Sequence, residues 1–287
     1  MKVAFLGLGR MGSAMAQNLA DAGVLTAVWN RSEGKAAAFA EAGVRVAPSP
    51  AEAVEGADVA IMMLADGGAA RAVASEALQA MAPGSLLIDM GTSGPGAARV
   101  IAAACAERGV GFVDAPVSGS IALARSAALT TLVGGSAEHV EQARPALQAI
   151  TRAQHHLGGV GSGATAKLAI NTMIAVTNES VSEFLVLCER AGLAREAAYA
   201  ALADSALASP FVHYKQAAFL APDDEPVGFT PHLMLKDLEL AEALAAELGV
   251  ELPATDAARG VLERTIAGGH GDDDLVRVAD TLREGSR

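Results

Sequence analysis

Short runs of aliphatic and β-branched residues alternate with longer alanine-rich stretches through the first half of the chain. Val3–Leu6, Leu25–Trp29, Val44–Val46, Val59–Met63, Leu86–Asp89 and Gly111–Val113 read as strands. Between them Gly12–Ala22, Glu33–Ala42, Gly68–Met81 and Pro95–Arg108 read as helices. Pro95 suits the first turn of its helix, where a missing N–H costs nothing. This alternation predicts an α/β fold with a doubly wound parallel sheet. The rhythm changes at residues 158–163, a glycine-dense stretch that reads as a flexible junction. Beyond it, Ala164–Ala191 contains neither Pro nor Gly, enough for about seven helical turns. Arg195–Leu207, His232–Leu248 and Thr255–Ala267 continue the helical pattern. The expected organisation is a sheet domain over 1–163 and an all-α domain over 164–287.

Composition sharpens this picture without changing it. Hydrophobic residues make up 52% of the 287 positions but aromatics only 3%, so the core is aliphatic. A formal net charge of −12 with no Lys/Arg run argues against nucleic acid or a membrane surface as partner. Cys105 and Cys188 have no CxxC or CxxH neighbour, so neither a disulfide scaffold nor a metal site is expected. The glycine-rich start lacks the features of a signal peptide, and no apolar run is long enough to span a bilayer. The expected location is cytoplasmic.

Gly7-Leu8-Gly9-Arg10-Met11-Gly12 is a G-x-G-x-x-G that follows a strand and opens a helix. In that setting Gly7 allows a tight turn and Gly9 lets backbone approach a pyrophosphate. Gly12 allows close helix–strand packing, and the helix N-terminus supplies free N–H groups. The motif predicts a Rossmann dinucleotide site; the plainer reading is a structural turn without ligand. An NAD site carries Asp or Glu at the end of the second strand, to hold the ribose 2′-hydroxyl. Here that place holds Asn30-Arg31-Ser32, with no carboxylate to repel a 2′-phosphate and a guanidinium to clamp one. NADP is therefore expected over NAD, unless Arg31 is only a solvated surface residue.

Three later segments carry candidate chemistry. Residues 114–120, Asp-Ala-Pro-Val-Ser-Gly-Ser, follow a strand at the sheet edge where ligands bind, although alone they read as a plain turn. Lys167 and Asn171 lie one turn apart on an otherwise apolar helix, and their stripe continues to Asn178. A lysine there either snorkels to water or is functional. Lys236-Asp237 lies just inside a helix that starts at Thr230-Pro231, and spacing alone makes it a surface ion pair.

As an ordered set, these segments resemble the β-hydroxyacid dehydrogenase family over essentially the whole chain. That family includes 3-hydroxyisobutyrate dehydrogenase, tartronate semialdehyde reductase and glyoxylate/succinic semialdehyde reductase. The resemblance implies a Rossmann domain followed by an all-helical one, usually assembled as homodimers or homotetramers. It implies hydride transfer between NADP and a small carboxylate-bearing hydroxy acid or semialdehyde. Lys167 matches the family's catalytic lysine and Asn171 its orienting asparagine. Ser118 and Gly119, extended to Ser120, match its substrate loop. Leu64, Thr92 and Lys236 join the glycine loop and Asn30-Arg31-Ser32 as expected cofactor contacts.

Three positions depart from the family pattern: Ser120 and Ala127 stand where glycine is common, and Gly91 where serine is frequent. They leave the substrate open. An imine reductase is the nearest rival, disfavoured by Lys167, since those enzymes generally lack lysine there. A non-catalytic NADP-binding scaffold is the rival from another class. Residues 271–274 and the charged end to Arg287 read as a solvated cap.

Overall fold

A computed structural model describes residues 1–285, apart from the side chain of Glu33. It divides into two compact units, Met1–Lys167 and the remainder from Leu168. The division thus falls inside a helix rather than at the expected 163/164.

The first unit begins with β1 (Val3–Leu6), α1 (Arg10–Asp21), β2 (Leu25–Trp29), α2 (Ala37–Glu41) and β3 (Arg45–Val46). It continues with α3 (Pro50–Val54), β4 (Val59–Met62), α4 (Gly67–Ala77), β5 (Leu86–Asp89), α5 (Pro95–Glu107) and β6 (Gly111–Asp114). Then follow β7 (Val117–Ser118), α6 (Ile121–Arg125), β8 (Leu129–Gly134), α7 (Ala137–Gln148) and β9 (Thr151–Gly158). The strand order is β3-β2-β1-β4-β5-β6-β8-β7, with β9 on the other side of β8. Strands β1 to β6 pair in parallel, as the alternation predicts. The far edge is different, because β8 runs antiparallel to both β6 and β7 and parallel to β9. The segment joining β7 to β8 is shorter than the dozen or so residues a parallel crossover needs, so the chain must double back.

Strands β1, β4, β5 and β6 are buried along their whole length. Helices cover both faces, which is why these strands read as unbroken apolar runs. Alternate residues feed two cores: Phe5, Ile61 and Ile88 meet Met15 and Leu19 of α1. Leu6, Met62 and Leu87 meet Val73 of α4 and Ile101 of α5. With both faces filled, the loops at the strands' carboxyl ends are what remains for a ligand.

Helix α8 (Ser162–Arg190) passes from the first unit into the second. The second unit adds α9 (Arg195–Ala203), α10 (Pro210–Leu220), α11 (Pro231–Leu248), α12 (Pro253–Thr265) and α13 (Val278–Gly285). Its interior is aliphatic around Tyr199 and Phe219 in one cluster and around Met234, Leu238 and Leu262 in another. The sequence reading did not find α10, whose apolar and polar residues follow no clear helical stripe: Lys215 is buried and Tyr214 exposed. Among the described residues no helix is long and apolar enough to cross a membrane.

Candidate active site

The three loop glycines divide by role. Gly7 has φ +105°, and an added Cβ would strike Met63 O. A Cβ on Gly12 would strike the carbonyl of Gly7. Both positions are set by packing. A Cβ on Gly9 would meet nothing within 4 Å, so its bareness leaves room above the loop instead of relieving a clash. Helix α1 opens there with no side-chain cap on its first turn, whereas Ser49, Asp66, Ser120 and Ser136 cap α3, α4, α6 and α7. Space and uncapped amides at a helix N-terminus suit a pyrophosphate. Exposed Arg10 and half-buried Met11 flank this opening.

Asn30 is partly committed elsewhere. Its Oδ1 accepts from Leu8 N at 2.8 Å and its Nδ2 donates to Ser32 O at 2.9 Å. The side chain thus ties the glycine loop to the end of β2, and at most one amide proton remains for a ligand. Arg31 and Ser32 are exposed beside it. Leu64 and Thr92, both half-buried, lie in the loops after β4 and β5. Gly91 fits closely against the first of these loops: a Cβ there would lie 2.6 Å from Leu64 O.

Asp114 is 1% exposed, and nothing in the sequence marks it out from the rest of the 114–120 segment. Its Oδ1 accepts from Gly161 N at 2.7 Å and its Oδ2 from Ala164 N at 2.8 Å. Burial pushes its carboxyl up from the ordinary range, and the amide hydrogen bonds pull it back. The same residue begins the 114–120 loop, so one carboxylate joins that loop to the first turn of α8. Residues 158–163 are therefore not a flexible junction. Gly161 has φ +91°, and a Cβ on Gly163 would strike Leu132 O. These glycines let α8 approach the sheet closely.

Within the loop, Ser118 pairs with Thr130 across β7 and β8, and its side chain is half-buried. Gly119 has φ +140°, and a Cβ there would lie 2.8 Å from Leu129 Cδ2. The Ser120 hydroxyl accepts from Leu123 N at 3.3 Å and caps α6, which leaves its own proton to donate to an anionic ligand. Ala127, where glycine is common in the family, has φ +53°, the only non-glycine residue at positive φ among those described. Alanine there is strained by about 1 kcal/mol.

Lys167, half-buried, lies one turn beyond Gly163 on α8, and Asn171 follows one turn later. Asn171 is 2% exposed and donates its Nδ2 to Asp237 Oδ2. Lys236 Nζ lies 2.8 Å from Asp237 Oδ1. Asp237 is itself 1% exposed, so the surface ion pair read from spacing is wrong. It is a buried carboxylate between an asparagine of α8 and a lysine of α11. Asn178 continues the same α8 stripe and donates to Leu275 O at 3.1 Å.

The solvated C-terminal cap also needs correction. Asp274 is 4% exposed and ion-paired to buried Lys215, while Asp272 and Asp273 remain more open beside His232 and His270. The final residues 286 and 287 lie outside the described residues.

Residues 2–159 match the NAD binding domain of 6-phosphogluconate dehydrogenase, and residues 161–282 match the NAD-binding domain of NADP-dependent 3-hydroxyisobutyrate dehydrogenase. A probable 3-hydroxyisobutyrate dehydrogenase of Mycobacterium tuberculosis is 34% identical over 98% of this chain and 97% of its own. Glyoxylate/succinic semialdehyde reductase 1 of Arabidopsis thaliana is 33% identical over 99% of each chain. A solved structure of the M. tuberculosis 3-hydroxyisobutyrate dehydrogenase with L-serine has a TM-score of 0.88 at 33% identity, covering 98% of this chain and 99% of that one. The imine reductase of Myxococcus stipitatus stands further off, with a TM-score of 0.66 at 22% identity.

Proposed function

The chain belongs to the β-hydroxyacid dehydrogenase family and is an NAD(P)-dependent hydroxyacid dehydrogenase, and from that premise we propose that it is an NADP-preferring reductase of a small carboxylate-bearing semialdehyde. The supporting observation is the single carboxylate, Asp114, that joins the 114–120 loop to the start of the helix bearing Lys167.

When bound, the nicotinamide supplies the hydride in reduction and accepts it in oxidation. Lys167 stabilises the negative charge that grows on the carbonyl oxygen and donates a proton from Nζ to it, taking that proton back in the reverse direction. Asn171, fixed by buried Asp237, orients Lys167 one turn away on α8. Ser118 and Gly119 hold the far carboxylate by hydroxyl and amide donors, with the remaining Ser120 proton as a third. The first-turn amides of α1 take the pyrophosphate, and Arg31 takes the 2′-phosphate with Ser32 beside it. A semialdehyde is favoured over an imine because Lys167 supplies a cationic proton donor to an oxyanion. The active form is proposed to be a homodimer or homotetramer.

Loss of reduced-nicotinamide absorbance tests this with NADPH and NADH. The panel holds glyoxylate, succinic semialdehyde, tartronate semialdehyde, methylmalonate semialdehyde and a cyclic imine. Turnover of at least one semialdehyde with NADPH is expected. Lys167→Ala should lower it by about 10²–10⁴-fold with NADPH still bound, and Arg31→Ala should raise the KM for NADPH by about tenfold or more with that for NADH little changed. Activity on the imine alone would reject the assignment. NADPH binding with no turnover of any compound would mark the chain as a cofactor-binding scaffold.

A further inference from the structure

The second unit contains a buried charge pair that the chemistry above does not use. Lys215 Nζ of α10 lies 2.7 and 2.8 Å from the two carboxylate oxygens of Asp274, and both residues are under 8% exposed. Asp274 spends its remaining capacity on backbone amides: Gly228 N at 2.7 Å, Phe229 N at 3.4 Å and Val276 N at 3.2 Å. Desolvating two such charges costs about as much as their attraction returns, so stability alone gives little reason to bury them. What the pair does supply is a fixed geometry.

That geometry leads to the reactive end of the unit. The segment carrying Asp274 is joined to the residues just before and inside α11: Leu275 N donates to Phe229 O at 2.9 Å, and His232 N donates to Gly271 O at 3.1 Å. It is joined to α8 through the Asn178–Leu275 hydrogen bond at 3.1 Å. Asn178 lies two turns beyond Asn171 on the same face of α8. Helices α8 and α11 are therefore linked twice, directly through Asn171–Asp237 and indirectly through the segment that Lys215 anchors.

We propose that Lys215 and Asp274 form a positioning pair for the reaction, setting the register of α11 against α8 so that Asp237 holds Asn171 and Lys236 stays beside it. The inference rests on the proposed function, since it deepens the account of how Asn171 is held. A displacement of about 1 Å at an orienting group can cost on the order of 10²-fold in rate, so a modest slip of α11 would be visible in turnover.

The test is steady-state kinetics of the full-length protein with Lys215→Met and Lys215→Arg, each checked by thermal melting and by NADPH binding. Lys215→Met is expected to lose about tenfold or more in kcat per folded molecule, with NADPH affinity within about threefold of the parent. Lys215→Arg, which keeps the charge and can meet the carboxylate through two N–H groups, should recover most of that loss. Should Lys215→Met fail to fold, the double variant Lys215→Met/Asp274→Asn, which leaves no uncompensated charge, is read by the same criterion. A lower melting temperature with unchanged kcat would overturn the proposal and leave the pair purely structural. A parent enzyme inert on the whole panel would overturn the functional reading as well; an active parent with an equally active variant would overturn only this one.

Discussion

In the first unit, Gly12 and Gly163 sit where one added carbon would run into a backbone carbonyl, of Gly7 and of Leu132 respectively. In the second, Asp237 and Asp274 sit where a carboxylate is cut off from water and answered by a lysine and by amide donors. The first region is positioned mainly by the absence of side chains, with buried Asp114 answered by backbone amides, and the second by buried carboxylates paired with lysines. The difference is instructive for reading sequences. Glycine at a fixed place in a strand–turn–helix has few physical explanations, so it announces itself. An aspartate on a helix or near a terminus has a bland default, solvated surface, and its partners lie far away in sequence.

Three measurements would break or sharpen this contrast. The largest expected effect is Gly163→Ala, which should cost about 3 kcal/mol or more because the obstacle is backbone that cannot swing aside, and should lower Tm by on the order of 10 °C. A melt within a degree or two of the parent would show that the first unit is less sterically fixed than its glycines suggest.

The second is a pH effect in the helical unit. Burial, with Glu183 adding and Arg264 opposing, pushes the Glu179 carboxyl up from 4.5 to about 7. Its neutral form is the one the fold favours. The contribution is therefore fully present below pH 4.5, shrinks as the unfolded chain ionises, and is gone above about pH 7. Stability should fall by up to about 3 kcal/mol across that window, and Glu179→Gln should flatten the curve in urea melts taken at several pH values. An unchanged slope in that variant would remove Glu179 from the account.

The smallest is Ala127→Gly, which relieves the positive φ and should raise stability by about 0.5–1 kcal/mol, or one to three degrees in Tm. A loss instead would mean that flexibility in the unfolded chain outweighs the strain.

Much of the first unit was legible in the sequence. Val3–Leu6, Leu25–Trp29 and Leu86–Asp89 are strands at the expected bounds, because strands buried on both faces leave continuous aliphatic runs. The glycine loop is equally plain, whereas the Lys167–Asn171 spacing alone leaves snorkelling and function both open. The antiparallel return through β8 was not legible, since nothing in Leu129–Gly134 encodes the direction of its neighbours. The tie of Asn30 to Leu8 is equally hidden, because it depends on β1 and β2 lying side by side. Asp114, Asp237 and Asp274 escaped for the same reason. Apart from Lys236 beside Asp237 and Val276 N beside Asp274, their partners are 45 to 66 positions away, and no periodicity reports a contact of that range.

The grip of Asp114 on Gly161 and Ala164 also bears on how such enzymes can be recombined. A graft that imports a relative's 114–128 loop to change what the enzyme accepts imports half of a lock whose other half is 161–164. Gly134 belongs to it too, because a Cβ there would lie 2.6 Å from Asp114 Oδ1. Three stretches scattered along the gene behave as one exchangeable module, and crossovers that separate them should yield chimaeras with an intact cofactor fold and a misaligned lysine.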